Sequence, residues 1–166
     1  MKAIVVVDAQ WGIGAKNDLL FHLTEDMRHF RTLTADKVVI MGYNTLLSFP
    51  GAKPLPRRVN IVLAPMEVER EDCTVVHTLP QLAQVLSAYD SEDVFVIGGA
   101  MFYHTMLPYC DAVYVTKVDA VGQASVFFDD LDSLPNWRLA EQGEPLVDNG
   151  YTIRFCTYRN DSPLPF

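Results

Sequence analysis

Six short runs of β-branched and other apolar residues punctuate the chain, and they constrain its fold more than any other feature. They are AIVVV at 3–7, KVVIM at 37–41, VNIVL at 59–63, CTVV at 73–76, VFVI at 94–97 and AVYVTKV at 112–118. A strand with one wet face alternates apolar and polar residues. A continuous apolar strand is covered on both faces, which is the habit of parallel sheets. Parallel neighbours need long crossovers, and helical patterns lie near 23–33, 44–48, 79–89 and 100–107. The alternation predicts an α/β fold with a mostly parallel sheet. Near the end, WRLAEQ at 137–142 and YTIRFCTYR at 151–159 have only GEPLVDNG between them. They predict a closing antiparallel hairpin, so the sheet is expected to be mixed.

The chain has 166 residues, enough for one domain with a sizeable core. Residues 1–159 are expected to form that domain, with NDSPLPF at 160–166 as a loose tail. The formal net charge of −8 argues against a nucleic-acid partner or an anionic membrane, both of which need a basic surface. It leaves room for an anionic small ligand held by a local arginine. The three cysteines, Cys73, Cys110 and Cys156, form neither a disulfide framework nor a zinc pattern. The N-terminal apolar run stops at Asp8, too early for a secretory segment, and no stretch approaches the roughly 20 apolar residues of a membrane span. A monomeric cytoplasmic protein is expected, without a metal.

LTEDMRHFR at 23–31 poses a problem of its own. On a helix, Leu23, Met27, Phe30 and Leu33 form an apolar stripe, and Asp26 falls inside it. One reading is a helix-start effect: Thr24 caps the helix, and Glu25 and Asp26 favour the positive end of its dipole. The other is a binding site in which a cationic or hydrogen-bond-donating ligand pairs with a half-buried carboxylate. The helix alone does not choose between them.

Elsewhere VFVIGGAMFY at 94–103 runs a buried strand into Gly98-Gly99 and then a helix, a turn that lets a phosphate approach the backbone. VVIMGYNT at 38–45 repeats the design with Gly42, Asn44 and Thr45. Two such turns at one sheet edge suit the two ends of a pyrophosphate. In PGAKPLPRRVNIVL at 50–63, a proline-stiffened loop presents Arg57 and Arg58, a device for capturing a carboxylate or phosphate. AQWGIGAKNDLLFH at 9–22 is long for a strand-to-helix connection and carries Gly12 and Gly14, which suits a lid and an irregular surface loop equally. His22, His29, His77 and His104 lack metal-ligand spacing, and no nucleophile–base arrangement emerges. Chemistry supplied by a cofactor is the remaining expectation.

In order and without large gaps, GIGAKNDLLF, LTEDMRHFR, VVIMGYNT, LPRRVNIVL, VFVIGGAMFY and VYVTKVDA resemble the dihydrofolate reductases of the chromosomal bacterial and eukaryotic type, from about residue 1 to about residue 158. The resemblance implies an eight-stranded mixed sheet with about four helices, and reduction of 7,8-dihydrofolate to tetrahydrofolate by NADPH. Asp26 matches the family's pterin-binding carboxylate and Thr116 the threonine bonded to it. Leu19, at the tip of the lid, and Phe21 complete the catalytic set that it implies. The proton at pterin N5 is expected from water, and the hydride goes to C6. Substrate contacts fall on Ile4, Val5, Met27, Phe30 and Ser48, then on Phe49, Leu55, Ile97 and Tyr103. Arg58 matches the arginine that clamps the glutamate tail. Cofactor contacts fall on Val6, Ile13, Gly14, Asn17, Asp18 and Leu19 near the lid. Others are Gly42, Tyr43, Asn44 and Thr45, then Leu63, Ala64, Pro65 and His77. The last group is Ile97, Gly98, Gly99, Ala100, Met101, Phe102 and Tyr103. Antifolate-type inhibitors are implied as ligands.

Some positions depart from the family pattern. Leu20-Phe21 replaces a pair ending in tryptophan. Tyr43, Ala64-Pro65, His77 and Met101 stand where basic or hydroxyl residues usually grip the cofactor's phosphates. Use of NADH beside NADPH is therefore expected. The rivals are a same-fold reductase of a riboflavin-pathway pyrimidine, which would have no use for Asp26 and Arg58, and a non-catalytic nucleotide- or pterin-binding module.

Overall fold

Alternate residues of the buried strands face opposite sides, and each side has its own apolar cover. The computed structural model describes residues 1–15 and 18–166. Its strands are β1 (Lys2–Val7), β2 (Gly12–Ala15), β3 (Asp18–Leu19), β4 (Val38–Gly42), β5 (Val59–Leu63) and β6 (Thr74–Val76). They continue as β7 (Val94–Val96), β8 (Ala112–Val118), β9 (Val126–Phe127), β10 (Trp137–Gln142), β11 (Leu146–Asp148) and β12 (Tyr151–Asn160). The helices are α1 (Thr24–Thr34), α2 (Tyr43–Ser48), α3 (Leu79–Leu86) and α4 (Ala100–Met106).

The main sheet runs β10-β12-β8-β1-β7-β4-β5-β6, and β11 pairs with β12 beside β10. From β8 to β6 every pairing is parallel, and β12 closes that stretch antiparallel to β8. Val5, Val7, Val38, Ile40 and Val96 belong to one core cluster, while Ile4, Val39, Met41 and Phe95 belong to a second. That is why the runs are apolar without interruption: both periods of two are buried.

Three details differ from the sequence pattern. GEPLVDNG is more than a connection, because β11 lies within it; Asn149 and Gly150, with φ of 49° and 86°, turn β11 directly into β12. The lid segment holds β2 and β3, which join β9 in a small three-stranded sheet. The tail expected to be loose is tied down. The Leu164 N–H donates to the Pro108 carbonyl at 2.9 Å, and Phe166 packs edge-on against Tyr109 at 4.9 Å between centroids. No helix among the described residues is long and apolar enough to cross a membrane.

Candidate active site

The parallel strands end at one edge of the sheet, and the turns leaving that edge carry most of the residues singled out above. In open α/β sheets this carboxyl edge is where ligands bind.

Asp26 sits in the first turn of α1, opposite β8. The Thr116 hydroxyl donates to Asp26 Oδ1 at 2.6 Å. Burial pushes the Asp26 carboxyl above its ordinary range, the Thr116 hydrogen bond pulls it part of the way back, and the charge of Asp148 raises it again. Among the described residues no cation forms an ion pair with Asp26. The capping role predicted for Thr24 is not observed. Leu23 occupies the cap position without a side-chain bond, and Asp148 receives the first N–H groups of the helix instead. Glu25 pairs with Arg28 at 3.0 Å, away from this arrangement.

The apolar stripe of α1 also departs from expectation. Only part of it is covered: Leu23 is buried, Phe30 and Leu33 are half-buried against the core cluster around Ile4, and Met27 is 55% exposed beside Asp26, while Thr34 is the only fully buried residue of the helix itself. Phe30, Phe49, Leu55 and Ile97 pack together on the cluster built around Ile4. Arg58 closes the far end. Its guanidinium stands 5.6 Å over the Phe30 ring, Nε donates to Thr34 Oγ1 at 2.9 Å, and Nη1 donates to the Pro56 carbonyl at 2.7 Å. Arg58 has no carboxylate partner among the described residues, whereas Arg57 is exposed and paired with Asp36. Eight residues of helix separate Asp26 from Thr34, roughly 12 Å along the axis. An elongated ligand with a hydrogen-bond-donating head, an apolar middle and an anionic tail matches that slot.

The lid contributes to the same place. Val6, Ile13, Leu19, Leu20, Phe21 and Met27 surround a small hollow of about 40 Å³ beside Asp26. Phe21 is buried against Tyr151 with 4.8 Å between ring centroids, and Leu19 is exposed. Asp18 is exposed and pairs with Ala15 across β2 and β3 at the lid tip, while Gly14 faces Leu19; Asn17 lies outside the described residues. Val5 is buried in the sheet, and Ser48 is exposed with its hydroxyl donated back to the Thr45 carbonyl at 2.6 Å. Neither side chain is placed in the slot.

Gly42, Gly98 and Gly99 meet at the centre of the edge. The Gly42 N–H donates to the Gly98 carbonyl at 2.9 Å, and the peptide between Gly98 and Gly99 is cis. A Cβ on Gly98 would stand 3.2 Å from Thr45 Oγ1, at a φ of 136° that side chains avoid. The helices that follow, α2 and α4, begin without a side-chain cap, so their first N–H groups remain open to a ligand. This bare backbone fits a dinucleotide diphosphate. Tyr103 braces it from below: its buried hydroxyl donates to the Ile4 carbonyl at 2.6 Å, and its N–H donates to the Gly99 carbonyl at 2.8 Å. Ala64 and Phe102 are in the core and contribute backbone at most, while Asn44, Pro65 and Met101 are exposed. Leu63 and Ala100 are half-buried. His77 is also half-buried, with Nδ1 2.9 Å from the Ala64 carbonyl oxygen.

Three supporting residues escape a motif search. Buried Asp8 accepts from the N–H groups of Gln10, Gly12 and Gly122 at 2.8, 2.7 and 2.9 Å, tying the lid to the loop after β8. Its one sequence signal is a charge ending an apolar strand. Asn60 brackets Leu55 through both its amide atoms and donates to the Arg58 carbonyl at 3.1 Å, which fixes the arginine loop. Asp148 stands before an Asn-Gly pair and so passes for a turn residue.

A sheet edge shaped for a dinucleotide, beside a place that offers binding groups and, among the described residues, no activated nucleophile, is the division of labour of the nicotinamide-dependent oxidoreductases. The family model described as dihydrofolate reductase matches residues 1–160. The dihydrofolate reductase of Bacillus subtilis (strain 168) is 38% identical over 159 residues, covering 93% of this chain and 91% of that one. That of Neisseria gonorrhoeae is 34% identical over 149 residues, covering 88% and 89%. A solved structure of the Enterococcus faecalis dihydrofolate reductase, complexed with NADP(H) and RAB-propyl, superposes with a TM-score of 0.84 at 28% identity, covering 96% and 95% of the two chains. The chain belongs to the dihydrofolate reductase family.

Proposed function

We propose that this protein reduces 7,8-dihydrofolate to 5,6,7,8-tetrahydrofolate with NADPH, supporting thymidylate and one-carbon metabolism, as a cytoplasmic monomer with no nucleic-acid or membrane partner. The observation that carries the reading is Asp26, a half-buried carboxylate bonded to Thr116, at one end of a slot closed by Arg58. The 2-amino and N3 edge of the pterin adds donors to the one that Thr116 gives Asp26, a charge-assisted pair in a desolvated place. Phe30, Phe49 and Leu55 pack on the aromatic middle of the substrate. The remaining donors of Arg58 take the α-carboxylate of the glutamate tail.

Gly42, Gly98 and Gly99 hold the diphosphate of the cofactor by close backbone approach, and Tyr103 keeps that backbone in place. Bound NADPH supplies the hydride. Val6, Ile13, Leu20 and Phe21 exclude bulk water around Asp26, which strengthens each electrostatic contact there. The chain's contribution is therefore proximity and electrostatics, without a covalent intermediate. Antifolate-type inhibitors compete for the same slot.

Purified protein mixed with dihydrofolate and NADPH, followed by cofactor absorbance, tests the proposal. Oxidation that requires dihydrofolate supports it. A folded sample that oxidises neither NADPH nor NADH in the presence of dihydrofolate refutes it and favours a binding module.

A further inference from the structure

The acid that ends β11 reaches the start of α1 from the opposite end of the sequence. Asp148 is 3% exposed, and both of its oxygens are occupied. Oδ1 accepts from the Thr24 N–H at 3.0 Å, while Oδ2 accepts from those of Glu25 at 2.8 Å and Asp26 at 3.1 Å. An α-helix leaves its first four N–H groups without an internal acceptor, and a cap residue of the helix itself ordinarily satisfies one of them. Here a single carboxylate takes three, from 122 to 124 residues away. The next residue completes the clamp: Asn149 Nδ2 donates to the His22 carbonyl at 2.6 Å, on the last residue but one before the helix.

We propose that Asp148 is a positioning residue for Asp26, holding the first turn of α1 over the slot and setting the electrostatic surroundings of the Asp26 carboxylate. The inference rests on the functional reading above, in which Asp26 binds the pterin. One of the three bonds ends on the N–H of Asp26 itself, so movement of Asp148 displaces the backbone that carries the reactive-site carboxylate. The same proximity places two carboxylates around one helical turn with no cation paired to either among the described residues. The groups facing Asp26 are Asp148 from β11, Thr116 from β8 and the buried Tyr103 from α4, and the exposed His22 just before α1 lines the same hollow. Its neighbours on α1 are engaged elsewhere: Glu25 with Arg28, and His29 stacked on Phe155 at 4.1 Å. The charge of Asp148 therefore acts on Asp26 against ionisation, in the direction that burial also acts.

The test is the titration of the Asp26 carboxyl by carbon NMR in the full chain without substrate, together with the pH profile of kcat. Asp148→Asn keeps the shape and one acceptor but removes the charge. Its expected result is a lowered Asp26 midpoint, with the kcat profile displaced the same way. Asp148→Glu keeps the charge and restores the midpoint toward that of the unaltered protein. An Asp26 midpoint unmoved in Asp148→Asn, with only a lowered Tm, would assign Asp148 a purely structural role and overturn the proposal. If Asp148→Asn does not fold, Asp148→Ser, a shorter neutral acceptor, carries the same measurement. Because the titration needs no turnover, an absence of dihydrofolate reduction would sink the functional reading while leaving this result readable.

Discussion

The Thr116 hydroxyl and the Asp26 carboxylate, 2.6 Å apart, join strand β8 to helix α1 across the head of the slot. This bond favours the ionised carboxylate, whereas burial and Asp148 oppose it. Thr116→Val removes the favouring contact while keeping the shape. The Asp26 midpoint should then rise, opposite to its movement in Asp148→Asn. Turnover at neutral pH should fall about tenfold, the scale of one hydrogen bond to a charged group. A pH–rate profile of the variant measures both. A profile that keeps its midpoint would mean that Thr116 packs without tuning the acid.

Asp26→Asn should cost activity and gain stability. With its binding charge gone, kcat/KM for dihydrofolate should drop on the order of a hundredfold or more, while NADPH affinity stays nearly unchanged. The stability sign follows from linkage. Asp26 has a folded-state pKa above its unfolded value of 3.8. Below the unfolded value both states are protonated and the group costs nothing. As pH rises, the unfolded chain releases the proton first, and folding loses stability until the folded pKa is passed. Asparagine escapes that loss. Tm should therefore rise at pH 7 by a few degrees, about 2–4 °C per kcal/mol, and the gain should shrink toward pH 3. Calorimetry at the two pH values checks it.

Much of this site is legible in the sequence alone, and the illegible part has a common cause. Continuous apolar runs such as VVIM announce a two-sided sheet because each residue reports its own burial. Gly98-Gly99 and Arg58 announce backbone approach and anion capture because their types are uncommon in those contexts. What the sequence hides is pairing at long range. Thr24 has the composition of a cap, yet the cap is Asp148, since a buried carboxylate offers two oxygens to three N–H groups and the Thr24 side chain offers one. Met27 follows the period of a core helix with Phe30, yet Phe30 packs on the core while Met27 is exposed at the hollow beside Asp26, because periodicity marks an apolar face without saying what covers it. Asp8 and Asn60 hold loops through backbone groups that no sequence pattern records.

Arg58→Leu should separate binding from chemistry. The residue stands at the far end of the slot from Asp26 and touches none of the groups around that carboxylate. Charge-assisted hydrogen bonds of about 1.5–3 kcal/mol predict a KM for dihydrofolate raised roughly tenfold to a hundredfold, with kcat little changed. A pterin substrate without the glutamate tail should be indifferent to the substitution. Steady-state kinetics with both substrates decides it. Equal losses on the two would place Arg58 in the fold rather than in recognition.

Gly12 leaves no space for a side chain. A Cβ there would fall 2.5 Å from the Ala124 Cβ and 2.8 Å from an oxygen of Asp8, so the lid and the loop after β8 would have to part. Gly12→Ala should lower Tm by several degrees, in keeping with overpacking costs of about 1–3 kcal/mol. It should also raise hydrogen exchange at Gly122, whose N–H is held by Asp8. Unchanged exchange at Gly122 would mean that the two loops move independently.

The cleft beside Tyr43, which we assign to the adenosine end of the cofactor, predicts weak discrimination between NADPH and NADH. NADPH differs by a 2′-phosphate, which needs an available positive charge. Beyond the ends of β4 and β5 lies an open cleft of about 610 Å³ that includes Tyr43, Glu67, Glu69, Arg70 and Asp72. Its one arginine is committed: Nε and Nη2 donate to the two Asp72 oxygens at 2.9 and 2.8 Å, and Nη2 also meets the Ala52 carbonyl at 2.6 Å. His77 Nε2 stands 3.9 Å from Glu67. A phosphate entering here meets three carboxylates and one engaged guanidinium, so kcat/KM for the two cofactors should agree within about tenfold, or 1.4 kcal/mol. Glu67→Lys reverses one charge and should shift the ratio toward NADPH, with the gain fading at high salt. A preference for NADPH of about a thousandfold in the unaltered protein, some 4 kcal/mol, would show that Arg70 leaves Asp72 to take the phosphate. Glu67→Lys would then change little, and Arg70→Gln would abolish the preference.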